Sequence, residues 1–373
     1  MDLTKKLSIL VFLLCVLTSL KNQKAASDSR SVLHDPSARR EEELHSDARV
    51  KERLRYDYYS ESCPSAEKII RSTVRELHEM KNTVGPALLR LAFHDCFVMG
   101  CDASILLDSD GNVKSEKEAR PNRSIKGFEQ IDTIKSRLEE ACPGVVSCAD
   151  TVALAARESV LLAGGQFYPV LTGRKDSIDA FQLNATTELP RPDDDFTKAL
   201  RSFALKGFDA RESVSLLGAH STGKVHCNFI RKRLFNFTAN KEPDSSINPE
   251  FLEILRAECG HQPASTPSGS PSPSSAENGS PDAASVEDRA MRMDYEGAGK
   301  GFGEVYYRSL LQGKGLLFVD QQLTSGPETK PWVETYAADV PRFRRDFGHA
   351  MFKLTHLQVA KEGQVRLNCR RLN

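Results

Sequence analysis

Apolar residues recur every three or four positions along most of the chain beyond residue 55, a period that predicts helices rather than strands. Ile69, Ile70, Val74 and Leu77 form one apolar face of a helix opened by Pro64. Lys81–Gly85 breaks that helix, and Pro86 starts a second one with Ala87, Leu88, Leu91 and Ala92 on its inner face. Ser109–Ser124 reads as loop from its Asp, Gly, Asn and Pro content. Phe128, Ile131, Ile134 and Leu138 mark an amphipathic helix that stops at Cys142-Pro143-Gly144. Cys148–Ala163 is apolar nearly all round, the pattern of a buried central helix, and Gly164-Gly165 ends it. After a loop with Pro190 and Pro192 the pattern predicts helices to about Leu205, over Asp209–Leu217, from Gly223 to Phe235 and from Pro249 to Glu258. Helical signals return at Phe302–Leu311 and Val340–Leu357. Period-two alternation is short and scarce and no internal repeat is present, so the fold class expected is mainly α.

The ends and one internal stretch depart from this pattern. Lys5-Lys6 followed by the apolar run Leu7–Leu20 reads as a secretory signal peptide over residues 1–26. The run is shorter than the roughly 20 residues of a membrane span, so membrane attachment is expected only if the signal is retained as an anchor. Residues 27–55 are charged and poor in large apolar side chains, a solvated tail, and the folded domain is expected over 56–373. Residues 261–285 are Pro-, Ser- and Gly-rich low complexity, an insertion that cannot bury a core.

Lys+Arg and Asp+Glu both number 51, so overall charge suggests no nucleic-acid partner. Of nine cysteines, Cys15 lies in the signal, leaving an even set of eight. An even set behind a signal reads as disulfides, with about 105 pairings open on spacing alone. Zinc competes poorly, because no CxxC pair exists. The sequons at Asn184, Asn236 and Asn278 agree with secretion.

Three groups carry chemistry. Arg90 and His94 are four residues apart, so on a helix they share one face. A lone histidine there would most often be structural. A guanidinium one turn away needs a reason to share the face, and the pair suits proton abstraction followed by stabilisation of negative charge. His220 sits between Gly218-Ala219 and Ser221-Thr222-Gly223, small neighbours that would let something large and flat approach. Asp95, Asp102 and Ser104 place hard oxygen donors on a tight loop, a pattern suited to Ca²⁺ if Cys96 and Cys101 are crosslinked, and otherwise a solvated acidic turn.

From about Tyr56 to Leu372 the chain resembles the secretory plant haem peroxidases, the class III family. The resemblance rests on Ser-Cys63-Pro64, Leu-Arg90-Leu-Ala-Phe-His94-Asp-Cys-Phe, Gly-Cys-Asp-Ala-Ser, Val-Ser-Cys148-Ala-Asp150, Leu-Gly-Ala-His220 and Arg-Leu-Asn-Cys369-Arg, in that order. It implies an all-α haem peroxidase fold with haem b between two helical subdomains. His94 would be the acid–base that moves the proton of H₂O₂, Arg90 the group assisting O–O cleavage, and Asn122 the acceptor of the His94 ring N–H. His220 would be the axial ligand of the haem iron, supported by Asp320, and Pro190 the substrate-access residue at the haem edge.

The same resemblance implies the pairings Cys63–Cys142, Cys96–Cys101, Cys148–Cys369 and Cys227–Cys259. It also implies a calcium ion held by Asp95, Val98, Gly100, Asp102 and Ser104, with Glu116 joined through water. Ser221 and Asp294 match part of a second calcium site. There Gly297 and Gly303 stand where oxygen-bearing side chains belong, and Glu304 is the one available substitute. The expectation is therefore one calcium, with the second in doubt. The function expected is a secreted monomeric peroxidase that uses H₂O₂ to oxidise phenolic donors. The alternative is a secreted peroxidase-fold glycoprotein with weak or no turnover, and a calcium-binding protein without haem ranks third.

Overall fold

The computed structural model describes residues 54–111, 114–260, 289–295, 301–357 and 362–373. The signal, nearly all of the charged tail, the insertion 261–285, Asn278 and Gly297 lie outside the described residues. Among the described residues no helix is long and apolar enough to cross a membrane.

The architecture is mainly helical. Among the described residues the first four helices are α1 (Ala66–Met80), α2 (Val84–Phe97), α3 (Phe128–Ala141) and α4 (Cys148–Leu162). Next come α5 (Gln182–Glu188), α6 (Phe196–Leu205), α7 (Ala210–Leu217), α8 (Arg231–Phe235) and α9 (Pro249–Cys259). The last four are α10 (Tyr306–Leu311), α11 (Phe318–Gln322), α12 (Lys330–Ala338) and α13 (Val340–Leu354). A larger apolar core joins α1–α4 with α7, α10, α12 and α13. A smaller one gathers Ile230, Leu234, Phe251, Leu255, Met291 and Val319 around α8, α9 and α11.

α4 is the hub of the larger core, because every residue from Cys148 to Val160 is buried. Ser147 caps its start by accepting the Asp150 N–H. Asp150 then organises what lies around it. Its Oδ1 accepts from Arg174 at 2.7 Å, and its Oδ2 accepts from the Tyr59 hydroxyl and from the Gly173 and Arg174 amides. The carboxylate and guanidinium are fully buried, and the burial is tolerable because both carboxylate oxygens accept hydrogen bonds, four in all.

Four disulfides form, Cys63–Cys142, Cys96–Cys101, Cys148–Cys369 and Cys227–Cys259. They tie α1 to the end of α3, close the loop after α2, fasten the C-terminus to the start of α4, and staple the smaller core.

Three helix expectations need correction. The stretch 223–235 is not one helix: Gly223 takes a positive φ, Lys224–His226 forms β1, and only Arg231–Phe235 is helical. β1 pairs antiparallel with β2 (Ala290–Arg292), Val225 facing Met291, a partner invisible to a local period because it lies beyond the insertion. Helix α10 begins at Tyr306, four residues later than expected, because Gly301 and Gly303 both take positive φ. A Cβ at Gly303 would meet the Phe343 ring at 2.2 Å. α13 stops at Leu354, three residues early. The short helices α5, α11 and α12 had no expected counterpart.

Because Asp150 is fully enclosed, Arg174→Met should cost about 3–5 kcal/mol by leaving a buried charge unpaired. Urea unfolding checks this, and a loss below about 1 kcal/mol would mean the pair contributes little to holding α4.

Candidate active site

Arg90 and His94 project from α2, as their four-residue spacing requires. His94 is buried, whereas Arg90 keeps an open face toward solvent. The loop that follows Ser109 is shaped by two 3₁₀ turns, Glu116–Glu118 and Arg120–Asn122, which bring Asn122 against His94. His94 Nδ1 lies 2.7 Å from Asn122 Oδ1, and Asn122 Nδ2 donates to the Glu116 carbonyl at 2.9 Å. The second bond fixes which end of the amide is oxygen, so His94 Nδ1 must be the donor and Nε2 carries the lone pair. Arg90 is tied to the same loop, donating to Ser124 Oγ at 3.1 Å and to the Pro121 carbonyl at 3.3 Å.

Electrostatics keep His94 neutral. Burial, and then the Arg90 charge, push its imidazole down to about 3, against a smaller opposing effect of the Asn122 bond. Partial desolvation by the protein around it lowers the Arg90 guanidinium to about 10 although one face stays open to solvent, which leaves it cationic at neutral pH. The pair therefore offers an uncharged base beside a fixed positive charge.

His220 follows α7 in a 3₁₀ turn over Gly218–Ser221. Its Nδ1 lies 2.8 Å from Asp320 Oδ1, on α11, so Nδ1–H donates to the carboxylate and Nε2 is left uncommitted. Gly218 is required there, since a Cβ would sit 2.3 Å from the Tyr307 hydroxyl. His220, on a different element, is near enough to His94 to contribute to its depressed pKa. Pro190 is half-buried just beyond the end of α5.

The loop after α2 brings its acidic groups together. Met99, Gly100 and Ala103 adopt positive φ, which winds the chain tightly between Cys96 and Ser104. Asp95, Asp102, Ser104 and Glu116 are all buried. Asp95 Oδ1, Ser104 Oγ and Glu116 Oε2 have no hydrogen bond of good geometry. Burial and mutual repulsion raise the Asp95 carboxyl well above its usual range, and burial raises Asp102 to about 7. No cluster of three or more His, Cys, Asp or Glu side chains in metal-holding geometry occurs among the described residues. The donor set here is different: two carboxylates, a hydroxyl and loop carbonyls, with orphaned oxygens that a hard cation would satisfy.

The residues matched to the second calcium have other partners. Both Asp294 oxygens accept from Arg292, at 3.0 and 2.9 Å, and Ser221 Oγ accepts the Gly303 N–H at 3.2 Å. Glu304 pairs with Arg344 at 3.3 Å. Arg292 was the overlooked signal, a cation two residues before the carboxylate.

Two further residues escaped the sequence reading. Arg366 is fully buried behind the acidic loop and donates to the Ala103 carbonyl at 2.6 Å. Phe181 N–H donates to Glu116 Oε1 at 2.9 Å, joining the start of α5 to the same loop. A separate hollow of about 300 Å³, lined by Phe167, Arg345 and His349 among others, includes none of the residues above.

A family model described as Peroxidase matches residues 70–339. Three Arabidopsis thaliana proteins are similar over most of their length. "Putative Peroxidase 48" is 47% identical over 85% of this chain and 82% of its own. "Peroxidase 66" is 40% identical over 85% and 91%, and "Peroxidase 57" 39% identical over 86% and 93%. The chain belongs to the peroxidase family, and that family implies haem and typically calcium.

The depressed His94 gives stability a definite pH dependence. Its folded pKa lies below the unfolded value of about 6.5, so between those values the unfolded state binds the extra proton. Stability should therefore fall as pH drops from 6.5 toward 3, with a limiting slope near 1.4 kcal/mol per pH unit. In His94→Gln this component should vanish, and identical urea-midpoint curves for the two proteins would contradict it.

Proposed function

We propose that this protein is a secreted haem peroxidase that reduces H₂O₂ to two waters while two small phenolic donors each lose one electron and one proton. The observation that carries this reading is the His94–Asn122–Glu116 relay, which leaves a neutral imidazole Nε2 beside the Arg90 cation. His220 Nε2 would hold the iron of haem b, with Asp320 on Nδ1 making the imidazole a stronger donor. When bound, the haem supplies the electrons that break the O–O bond and recovers them one at a time from the donors.

His94 acts twice in this scheme. Its Nε2 first takes the proton from the peroxide oxygen that will stay, then delivers it to the oxygen that departs, which leaves as water. Arg90 lies against the negative charge that develops on the departing oxygen and lowers the cost of separating it. Asn122 holds the tautomer that makes the first transfer possible. Phenols would approach at Pro190. Asp95, Val98, Gly100, Asp102 and Ser104 would hold one Ca²⁺, with Glu116 reached through water. The orphaned buried oxygens of this loop support that assignment. Secretion is supported by Lys5-Lys6 with Leu7–Leu20 and by the four disulfides.

A second reading, a peroxidase-fold glycoprotein of weak turnover, draws on the proximal side, where Asp294 and Ser221 are bound to Arg292 and Gly303. Stopped-flow mixing with H₂O₂ separates the two. His94→Ala should slow the peroxide step by more than the about 10²–10⁴-fold typical of a positioned acid–base, while retaining the haem absorption band. His220→Ala should lose or loosen haem. A parent protein that takes up haem yet reacts no faster than His94→Ala would favour the second reading.

A further inference from the structure

Asp320 holds His220 through one oxygen only. Oδ1 accepts from Nδ1, while Oδ2 is buried with no hydrogen bond of good geometry. Buried carboxylate oxygens in folded proteins nearly always have a donor, so this one calls for a source. The Tyr306 hydroxyl, at the start of α10, is also buried and in the same condition. Both side chains line one small cavity of about 20 Å³, with Met293, Tyr295, Leu310 and Leu316. Two other donors that line it are engaged: the Tyr295 hydroxyl bonds the Lys314 carbonyl at 2.8 Å, and the Gly315 N–H bonds Gln321 Oε1 at 2.9 Å.

We infer that Tyr306 donates its hydroxyl proton to Asp320 Oδ2 and so sets how strongly Asp320 draws on the His220 N–H. Burial, and next the Asp320 charge, push the Tyr306 phenol well above its usual range, so it is always protonated and always a donor. The cavity has room for one water, and a direct or a water-bridged bond has the same donor and the same consequence. A hydrogen bond to Oδ2 withdraws electron density from the carboxylate. Oδ1 then accepts less strongly from Nδ1–H, the imidazole keeps less imidazolate character, and the bound iron is easier to reduce. Tyr306 is thus a positioning residue acting through two others, and neither periodicity nor the family motifs single it out.

The inference rests on His220 as the axial ligand and is tested on the haem-loaded protein by two readouts, the ferric/ferrous potential and the iron–histidine stretch in resonance Raman. Tyr306→Phe keeps the ring against Tyr307 and removes only the hydroxyl. It should make reduction at least threefold less favourable, about 28 mV at 59 mV per decade, and raise the stretching frequency. In an Asp320→Asn background the same substitution should change neither. An unchanged potential and frequency in Tyr306→Phe would overturn the inference, as would equal shifts in both backgrounds. Absence of an iron–histidine band in the parent would overturn the ligand assignment itself, and this inference with it.

Discussion

The Asn122 side chain is the joint on which the distal half of the molecule depends. One end of its amide accepts from His94 and the other donates to the Glu116 backbone, so a single buried group orients the base and anchors the loop that carries it. Glu116 in turn reaches Phe181 at the start of α5 and stands beside the orphaned oxygens of Asp95 and Ser104. An amide can serve this way because its two ends are chemically distinct. Flipped, it would set donor against donor at His94 and acceptor against acceptor at Glu116. The tautomer of His94 is therefore a property of the loop, not of the histidine.

The two sides of the site are built on different principles. The distal side gathers carboxylates that repel one another unless a cation sits among them, with Arg366 behind as the one nearby permanent positive charge that eases Asp95 and Asp102. The proximal side uses bonds internal to the protein. Arg292 neutralises Asp294, Ser221 closes on Gly303, and Phe302 and Gly303 pack against Phe343. A glycine at 303 suits that arrangement because a side chain would collide with the ring.

Much of this was legible in the sequence because it is local. The Arg90–His94 spacing needs only a helix, and the buried character of α4 follows from an apolar run. The acidic loop was legible because its donors are contiguous. What was not legible is what distant segments do to one another. β1 needs Ala290–Arg292 as its partner, α10 is delayed by glycines whose φ is set by packing on α13, and Tyr306 meets Asp320 only after α10 and α11 fold together. The pairing of cysteines and the role of Asn122 came from family resemblance. Composition and period alone would have left Asn122 as one more loop residue.

The central claim is that the acidic loop acts on His94 through Asn122. The most direct measurement is the stopped-flow rate of the H₂O₂ step before and after calcium chelation, in the parent and in Asn122→Val. The account predicts that chelation slows the parent markedly and the variant much less, because the variant has already lost the link. Equal slowing in both would show that the loop reaches the base by some other route and would contradict the account.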